Sequence, residues 1–91
     1  MTYSLHYHAL VASLDIPALP HEWRQRIRRA IEERLTTHPE IYGKPLRRSL
    51  KGYRKLRVGD YRVIFRIERD AVKIFVIQHR SRVYATADKR L

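Results

Sequence analysis

Apolar residues recur at every fourth position in segment 20–40, and polar residues fill most positions between them. The members of this stripe are Trp23, Ile27, Ile31 and Leu35. That spacing places all four on one side of an α-helix. Prolines at positions 20 and 39 fit its two ends, because proline suits a first helical turn and cannot continue a helix. The pattern predicts a long amphipathic helix that covers a core.

Alternation of apolar and polar residues predicts strands elsewhere in the chain. At the N-terminus, "TYSLHYH" directs Tyr3, Leu5 and Tyr7 to one side. Three further strands are predicted at about 53–58, 61–67 and 72–78. The apolar "ALVASL" predicts one or two helical turns that end at Asp15 and Pro17. Segment 41–52 is expected to be a loop, and the basic C-terminal segment to end in a helical turn.

The order of these elements predicts an α+β fold. An N-terminal strand comes first, then two helices of which the second is long and amphipathic, then a three-strand antiparallel meander. The helices are expected on one face of the sheet. The chain has 91 residues and no obvious linker, so one domain spanning 1–91 is predicted.

The stretch "RKLRVGDYRVIF" predicts a tight hairpin. Gly59 and Asp60 form a two-residue loop, because glycine supplies the positive φ that such turns require. Counting outward from the loop places Arg57 directly opposite Arg62 and Lys55 opposite Ile64. Like charges that face each other across a ladder destabilise it. The opposed arginines therefore suggest a surface that binds an anion.

Alternation along these strands divides the sheet into an apolar and a basic face. The apolar face is expected to hold Leu56, Val58, Tyr61, Val63, Phe65 and Ile67. The basic face is expected to hold Tyr53, Lys55, Arg57, Arg62, Ile64 and Arg66. If Ile67 pairs with Val72, the third strand adds Val72, Ile74 and Val76 to the core. It adds Lys73, Phe75, Ile77 and His79 to the basic face. On such a face, phosphates of a nucleic acid can bind the cations and bases can stack on the aromatic rings. The alternative is an ordinary charged surface that is exposed to solvent and binds nothing.

Charge supports a polyanionic partner. Lysine and arginine number 20 against 9 acidic residues, a net charge of +11. Nucleic acid is the first candidate and an acidic protein the second. Cysteine is absent, which excludes disulfides and thiolate metal sites and is compatible with a cytoplasmic location. No signal peptide or membrane span is evident. No nucleotide-binding motif is present, so no cofactor is expected. His6 and His8 have no third ligand near them in the sequence, so no metal is expected either.

The sequence "GYRKLRVGDYRVIFRIERDAVKIFVIQHRSRVY" resembles the core of the RelE/ParE superfamily, the toxins of toxin–antitoxin modules. The match is close from Gly52 to Tyr84 and looser towards the N-terminus, where "YGKPLRRSLKG" resembles the family's helix-to-sheet connection. The resemblance implies an antiparallel sheet flanked by helices. It also implies one of two activities, messenger RNA cleavage as in RelE-like toxins or DNA gyrase inhibition as in ParE-like toxins.

The resemblance also implies site residues. Lys55 matches a lysine on the family's second strand, Arg62 an arginine on the third, and Tyr84 a tyrosine near the C-terminus. The arginine near the end of the last strand is best matched by Arg80, with His79 or Arg82 as alternatives. Tyr53 stands where a second lysine is expected. The predicted catalytic set is Lys55, Arg62, His79, Arg80 and Tyr84. The predicted RNA-binding set is Lys51, Tyr53, Arg54, Arg57, Arg66 and Arg82.

Together these observations predict a growth-inhibiting toxin that cleaves mRNA, on the ribosome, without metal or cofactor. The 2′-OH of the RNA would attack the adjacent phosphate. A gyrase inhibitor without nuclease chemistry and a non-catalytic nucleic-acid-binding module are the alternatives. The resemblance implies a cognate antitoxin of acidic or amphipathic character, and operator DNA as a partner only of the toxin–antitoxin complex. No membrane association is expected.

Overall fold

A computed structural model describes residues 2–91. The chain begins with β1 (Ser4–Tyr7), which leads to α1, a helix made of a wide π-type turn (Val11–Asp15) and an α-helical turn (Ile16–Ala18). Next come α2 (His21–Ala30), which continues as a second wide turn (Ile31–Leu35), and α3 (Pro39–Tyr42). The remaining elements are β2 (Lys44–Pro45), a 3₁₀ turn (Arg48–Leu50), β3 (Arg54–Val58), β4 (Tyr61–Glu68), β5 (Ala71–His79) and α4 (Val83–Arg90).

The strands form one five-stranded sheet in the order β1-β5-β4-β3-β2. Strands β3, β4 and β5 form the predicted antiparallel meander, with ends close to the predicted ones. β1 pairs with β5 in parallel, an arrangement that the N-terminal pattern did not indicate. β2 adds a short antiparallel edge to β3 within a segment predicted to be a loop. The α+β class is confirmed, and the sheet is mixed.

The hairpin between β3 and β4 has the predicted register. Arg57 lies opposite Arg62 and Lys55 opposite Ile64. Gly59 has a φ of +59°, the left-handed conformation that its place in the turn requires. Tyr61 stacks on Trp23 of α2 with ring centroids 5.2 Å apart. The hairpin tip is therefore held against the helix.

A β-bulge changes the predicted register between β4 and β5. Ile67 pairs with Val72 as expected, but Phe65 lies opposite Ile74 while Ile64 lies opposite Val76, which leaves Phe75 as the extra residue. An extra residue reverses the alternation beyond it. The predictions that Val76 joins the helix-covered core and that Ile77 and His79 join the basic face are therefore wrong. Ile77 packs in the core under α1 and α2, and Val76 lies on the opposite face of the sheet.

Each face of the sheet has its own hydrophobic core. The core under α1 and α2 contains the helix stripe and Phe65, as the two patterns predicted. The second core contains Ile64 and Val76, which Val83 and Ala87 of α4 cover together with Leu50. The helices were predicted on one face, which is correct for α1 and α2 and wrong for α4. The predicted helical turn at the C-terminus is a helix of 8 residues.

The first helix extends beyond its predicted end. Asp15 and Pro17 were expected to terminate it, but the helix continues to Ala18. The N–H of Ile16 bonds to the carbonyl of Val11, five residues earlier. Pro17 lies within the last turn, which the N–H of Leu19 closes by bonding to the carbonyl of Ile16. In the described part of the chain, no helix is long and apolar enough to cross a membrane.

Candidate functional site

Four cations meet in a small pocket beside the hairpin. The pocket has a volume of about 200 Å³, and its lining residues are Tyr42, Lys44, Lys55, Arg57 and Arg62. The site is electropositive because these cations come from three neighbouring strands and no carboxylate lines the pocket. Such a pocket suits a phosphate group, which binds both ammonium and guanidinium groups.

Lys44 is the site residue that the sequence analysis missed. It lies on β2 directly opposite Lys55 on β3, and both side chains line the pocket. The sequence has Tyr53 where the family resemblance implies a second lysine, so the second ammonium group comes from the adjacent strand instead. The only signal in the sequence was "GKP" within a segment that otherwise indicates a loop, and a two-residue strand is too short to show alternation.

Tyr84 lies beside Lys55, as expected for residues of one site. The Nζ atom of Lys55 is 5.8 Å from the centre of the Tyr84 ring, within range of a cation–π contact. Tyr84 is on the first turn of α4, and the adjacent Val83 is fully buried against the sheet. Docking of α4 therefore determines where the tyrosine stands relative to the lysine.

The opposed arginines of the hairpin have different surroundings. Arg62 donates from Nη1 to the carbonyls of Gly59 and Tyr61, at 2.8 and 2.9 Å. Arg57 is exposed, and within residues 2–91 its side chain makes no hydrogen bond or ion pair. The carbonyl bonds orient Arg62, and the exposed Arg57 adds charge at the rim of the pocket.

The three site residues predicted near the end of β5 lie in different places. His79 lies on the face covered by α1 and α2, where its ring centroid is 5.6 Å from that of Tyr61 in an edge-to-face arrangement. Its Nδ1 accepts from the backbone N–H of Ser81 at 3.2 Å. Arg80 lies near the hairpin loop, with Nε 4.0 Å from a carboxylate oxygen of Asp60. Arg82 is exposed at the start of α4. His79 is thus not brought to the Lys55 pocket.

The predicted RNA-binding residues also divide by position. Arg54 donates to the carbonyls of Gly43 and Glu40, at 2.9 and 3.3 Å, so it holds the segment before β2 in place. Lys51 is exposed in the turn before β3. Tyr53 and Arg66 lie together at the other end of the basic face, with the guanidinium 5.6 Å from the ring centre.

Comparison with known proteins identifies the family. The sequence model of the ParE toxin of the type II toxin–antitoxin system parDE matches residues 11–84. The chain belongs to the RelE/ParE superfamily of toxins. It is also 34% identical over 83 residues to Toxin RelE of Mycobacterium tuberculosis, a match that covers 86% of each chain. As a member of this superfamily, the chain is a toxin of a toxin–antitoxin system.

Solved structures of RelE proteins have the same fold. One is the RelBE2 toxin–antitoxin complex of M. tuberculosis, whose matching chain has a TM-score of 0.82 and 29% identity, with 88% of this chain and 100% of that chain covered. Another is a double-arginine mutant of Escherichia coli toxin RelE in the free state, with a TM-score of 0.76 and 20% identity over 100% and 99% of the two chains. The second likeness concerns the fold alone.

Proposed function

We propose that this RelE/ParE toxin is an endoribonuclease that cleaves mRNA on the ribosome without a metal ion. The observation that supports it best is the placement of Lys55 between the Tyr84 ring and a pocket that also holds Lys44, Arg57 and Arg62. This arrangement combines phosphate-binding cations with two groups able to exchange protons. Both requirements belong to RNA cleavage by its own 2′-OH.

The proposed reaction needs no water as nucleophile. The 2′-oxygen forms a bond to the adjacent phosphorus, and the bond from phosphorus to the 5′-oxygen breaks, which leaves a 2′,3′-cyclic phosphate and a 5′-hydroxyl. Lys55, in its uncharged form, accepts the proton of the 2′-OH. The Tyr84 hydroxyl donates a proton to the leaving 5′-oxygen. Arg62 and Lys44 stabilise the charge that accumulates on the phosphate oxygens in the transition state.

The other two predicted catalytic residues, Arg80 and His79, have no direct part in the proposed reaction. Arg80, near the hairpin loop, extends the positive surface beyond the pocket. His79 is not used, because its ring lies on the opposite face of the sheet beside Tyr61. The reaction therefore depends on residues from β2, β3, β4 and α4.

The test is cleavage of a defined mRNA, alone and on programmed ribosomes, in the presence of EDTA. We expect cuts that end in 2′,3′-cyclic phosphate, and we expect Lys55→Gln to abolish them. Lys89→Gln is the matched control: it makes the same change at an exposed lysine of α4 that does not line the pocket, and it should leave cleavage intact. Intact RNA in both reactions, from a protein that still arrests growth, would show that the toxin has another target.

Gyrase inhibition is the second candidate function, because the matching sequence model describes ParE toxins. Under this alternative the basic face would contact gyrase or DNA and would not perform chemistry. The distinguishing experiment is DNA supercoiling by purified gyrase with added toxin. Inhibition that persists in the Arg62→Ala, Tyr84→Phe double variant would favour gyrase as the target. Unimpaired supercoiling would favour RNA.

We further propose that a cognate antitoxin binds this toxin. The M. tuberculosis RelBE2 structure, whose matching chain is 29% identical to this one, is a toxin–antitoxin complex. The net charge of +11 favours an acidic partner, because opposite charges speed association and improve complementarity. If a small acidic protein is encoded beside the toxin gene, its co-expression should relieve growth arrest. Failure of such a neighbour to bind the purified toxin would contradict this assignment.

A further inference from the structure

Two rows of side chains cross the basic face at the end far from the hairpin. One row, the cationic row, carries the two cations Lys73 and Arg66, because Lys73 on β5 lies opposite both His6 on β1 and Arg66 on β4. The neighbouring row is aromatic and contains His8, Phe75 and Tyr53. A cavity of about 320 Å³ lies over both rows. The two rows will be called the distal cluster, whose members are His6, His8, Tyr53, Arg66, Lys73 and Phe75.

The aromatic row is continuous across the sheet. The ring centroids of Tyr53 and Phe75 are 5.0 Å apart at an interplanar angle of 35°, and those of His8 and Phe75 are 5.5 Å apart in an edge-to-face arrangement. Phe75 follows Ile74, which is in the core under α1 and α2, so alternation directs the Phe75 ring to this face; as the extra residue of the bulge it has no partner on β4. Tyr53, His8 and Phe75 all remain partly exposed. The ring of Phe75 therefore lies on the basic face, as the sequence pattern predicted.

The cationic row keeps a positive charge that the fold does not neutralise. Arg66 pairs with Glu68, and its guanidinium also lies 5.6 Å from the centre of the Tyr53 ring. Lys73 is exposed and makes no ion pair within residues 2–91. Rings beside cations form the combination that binds single-stranded nucleic acid, since bases stack on rings while phosphates contact cations.

The distal cluster and the Lys55 pocket share one face of the sheet. Tyr53 stands immediately before β3 and precedes Lys55 by two residues, so their Cα atoms are roughly 7 Å apart in extended backbone. α4 covers the centre of this face through Val83 and Ala87. A single RNA strand that places a phosphate in the pocket would therefore extend its neighbouring nucleotides over Tyr53.

We infer that the distal cluster is a second RNA-binding subsite, which holds single-stranded nucleotides next to the cleaved bond by base stacking and phosphate contacts. The inference rests on the proposed ribonuclease function for the position of the cleaved bond. An acidic peptide is the less fitting ligand, because it would use the cations and leave the aromatic row without a partner.

The experiment measures RNA binding separately from cleavage. The probe is a fluorescein-labelled, fully 2′-O-methylated RNA of about eight nucleotides, a length that spans both sites. It lacks the attacking hydroxyl, so binding is measurable whether or not the protein is a ribonuclease. Loss of one stacked base should weaken binding of the Phe75→Leu and Tyr53→Leu variants by about tenfold. The same variants should bind an abasic probe as tightly as the unmodified protein does.

The cation row has its own signature in this assay. Lys73→Gln should weaken binding of both probes and should reduce the slope of log affinity against log salt concentration by about 0.7. Arg29→Gln on the far side of α2 removes one charge outside the cluster and should leave that slope nearly unchanged. Leu46→Ala, which loosens the same second core without removing a ring, controls for destabilisation.

Three results would overturn the inference. One is wild-type affinity in both ring variants, and another is equal weakening with the abasic probe. The third is weakened binding of the cognate antitoxin with unchanged RNA binding, which would assign the cluster to a protein partner. If instead the probe binds as expected but mRNA is never cut, the subsite stands and the ribonuclease proposal fails.

Discussion

Arg90 and Asp15 form a buried, bidentate ion pair that joins the two ends of the chain. Both nitrogen–oxygen distances are 2.8 Å, and the side chains are 7% and 1% exposed. Asp15 also accepts a hydrogen bond from the backbone N–H of Ile77 at 2.9 Å. Ile77 lies on β5 beyond Ile74, the last residue that pairs with β1. Arg90 donates further to the carbonyl of Phe75 at 3.1 Å. The pair fastens α4, which holds Tyr84, to α1 and β5.

Removing Arg90 should be strongly destabilising. We expect Arg90→Ala to lower the free energy of unfolding by about 3–5 kcal/mol, because it leaves the Asp15 carboxylate buried without its counter-ion. Arg90→Lys should cost less, since lysine keeps the charge but cannot form both bonds. Urea unfolding monitored by circular dichroism measures both, with exposed Arg29→Ala as control. A loss below about 1 kcal/mol for Arg90→Ala would mean that the pair does not fasten α4.

Gly59 should resist substitution for two separable reasons. Its φ of +59° strains any residue with a Cβ, and a Cβ there would lie 2.3 Å from Cη2 of Trp23. Gly52 has a φ of +95° but nothing within 4 Å of its Cβ position, so Gly52→Ala reports the strain alone. We expect about 1–2 kcal/mol from strain and a larger loss for Gly59→Ala. Equal losses in urea unfolding would show that Trp23 moves aside at no cost.

Arg62 should matter for activity and little for stability. Arg62→Ala relieves the repulsion with Arg57, and its lost bonds are to exposed or partly exposed carbonyls. The free energy of unfolding should therefore stay within about 0.5 kcal/mol or rise slightly. RNA cleavage should fall about a hundredfold or more, because an anion-stabilising group is removed. Arg62→Lys keeps the charge and should retain part of the rate. Loss of cooperative unfolding in Arg62→Ala would make the arginine structural.

Lys44 should contribute to cleavage although the sequence pattern does not mark it. We expect Lys44→Gln to reduce the cleavage rate by about tenfold, because it removes the ammonium group opposite Lys55. Its side chain is exposed, so urea unfolding should be unchanged. Lys51→Gln tests a nearby lysine that does not line the pocket, and a smaller effect is expected there. Equal effects would reduce the role of Lys44 to general surface charge.

Local patterns predicted much of the framework. The register of the hairpin follows from Gly59 and Asp60, because a two-residue loop fixes which residues face each other. The stripe from Trp23 to Leu35 gave the long helix and its buried side, because helical spacing depends only on near neighbours. The placement of Lys55, Arg57 and Arg62 on one face came from the same counting.

Contacts between distant segments decided the rest. The bulge at Phe75, the cross-strand approach of Lys44 and the docking of α4 each depend on packing between segments far apart in sequence. Asp15 and Arg90 are separated by 75 positions, and nothing near either residue indicates the other. The sequence by itself thus determined the four longer strands, the long helix and the cationic hairpin, since these follow from local periodicity and turn geometry. The tertiary structure alone decided which cations share a pocket with Lys55, that Tyr84 stands beside that lysine, and which face receives His79. Non-local packing sets the sheet register and the docking of α4, on which all three depend.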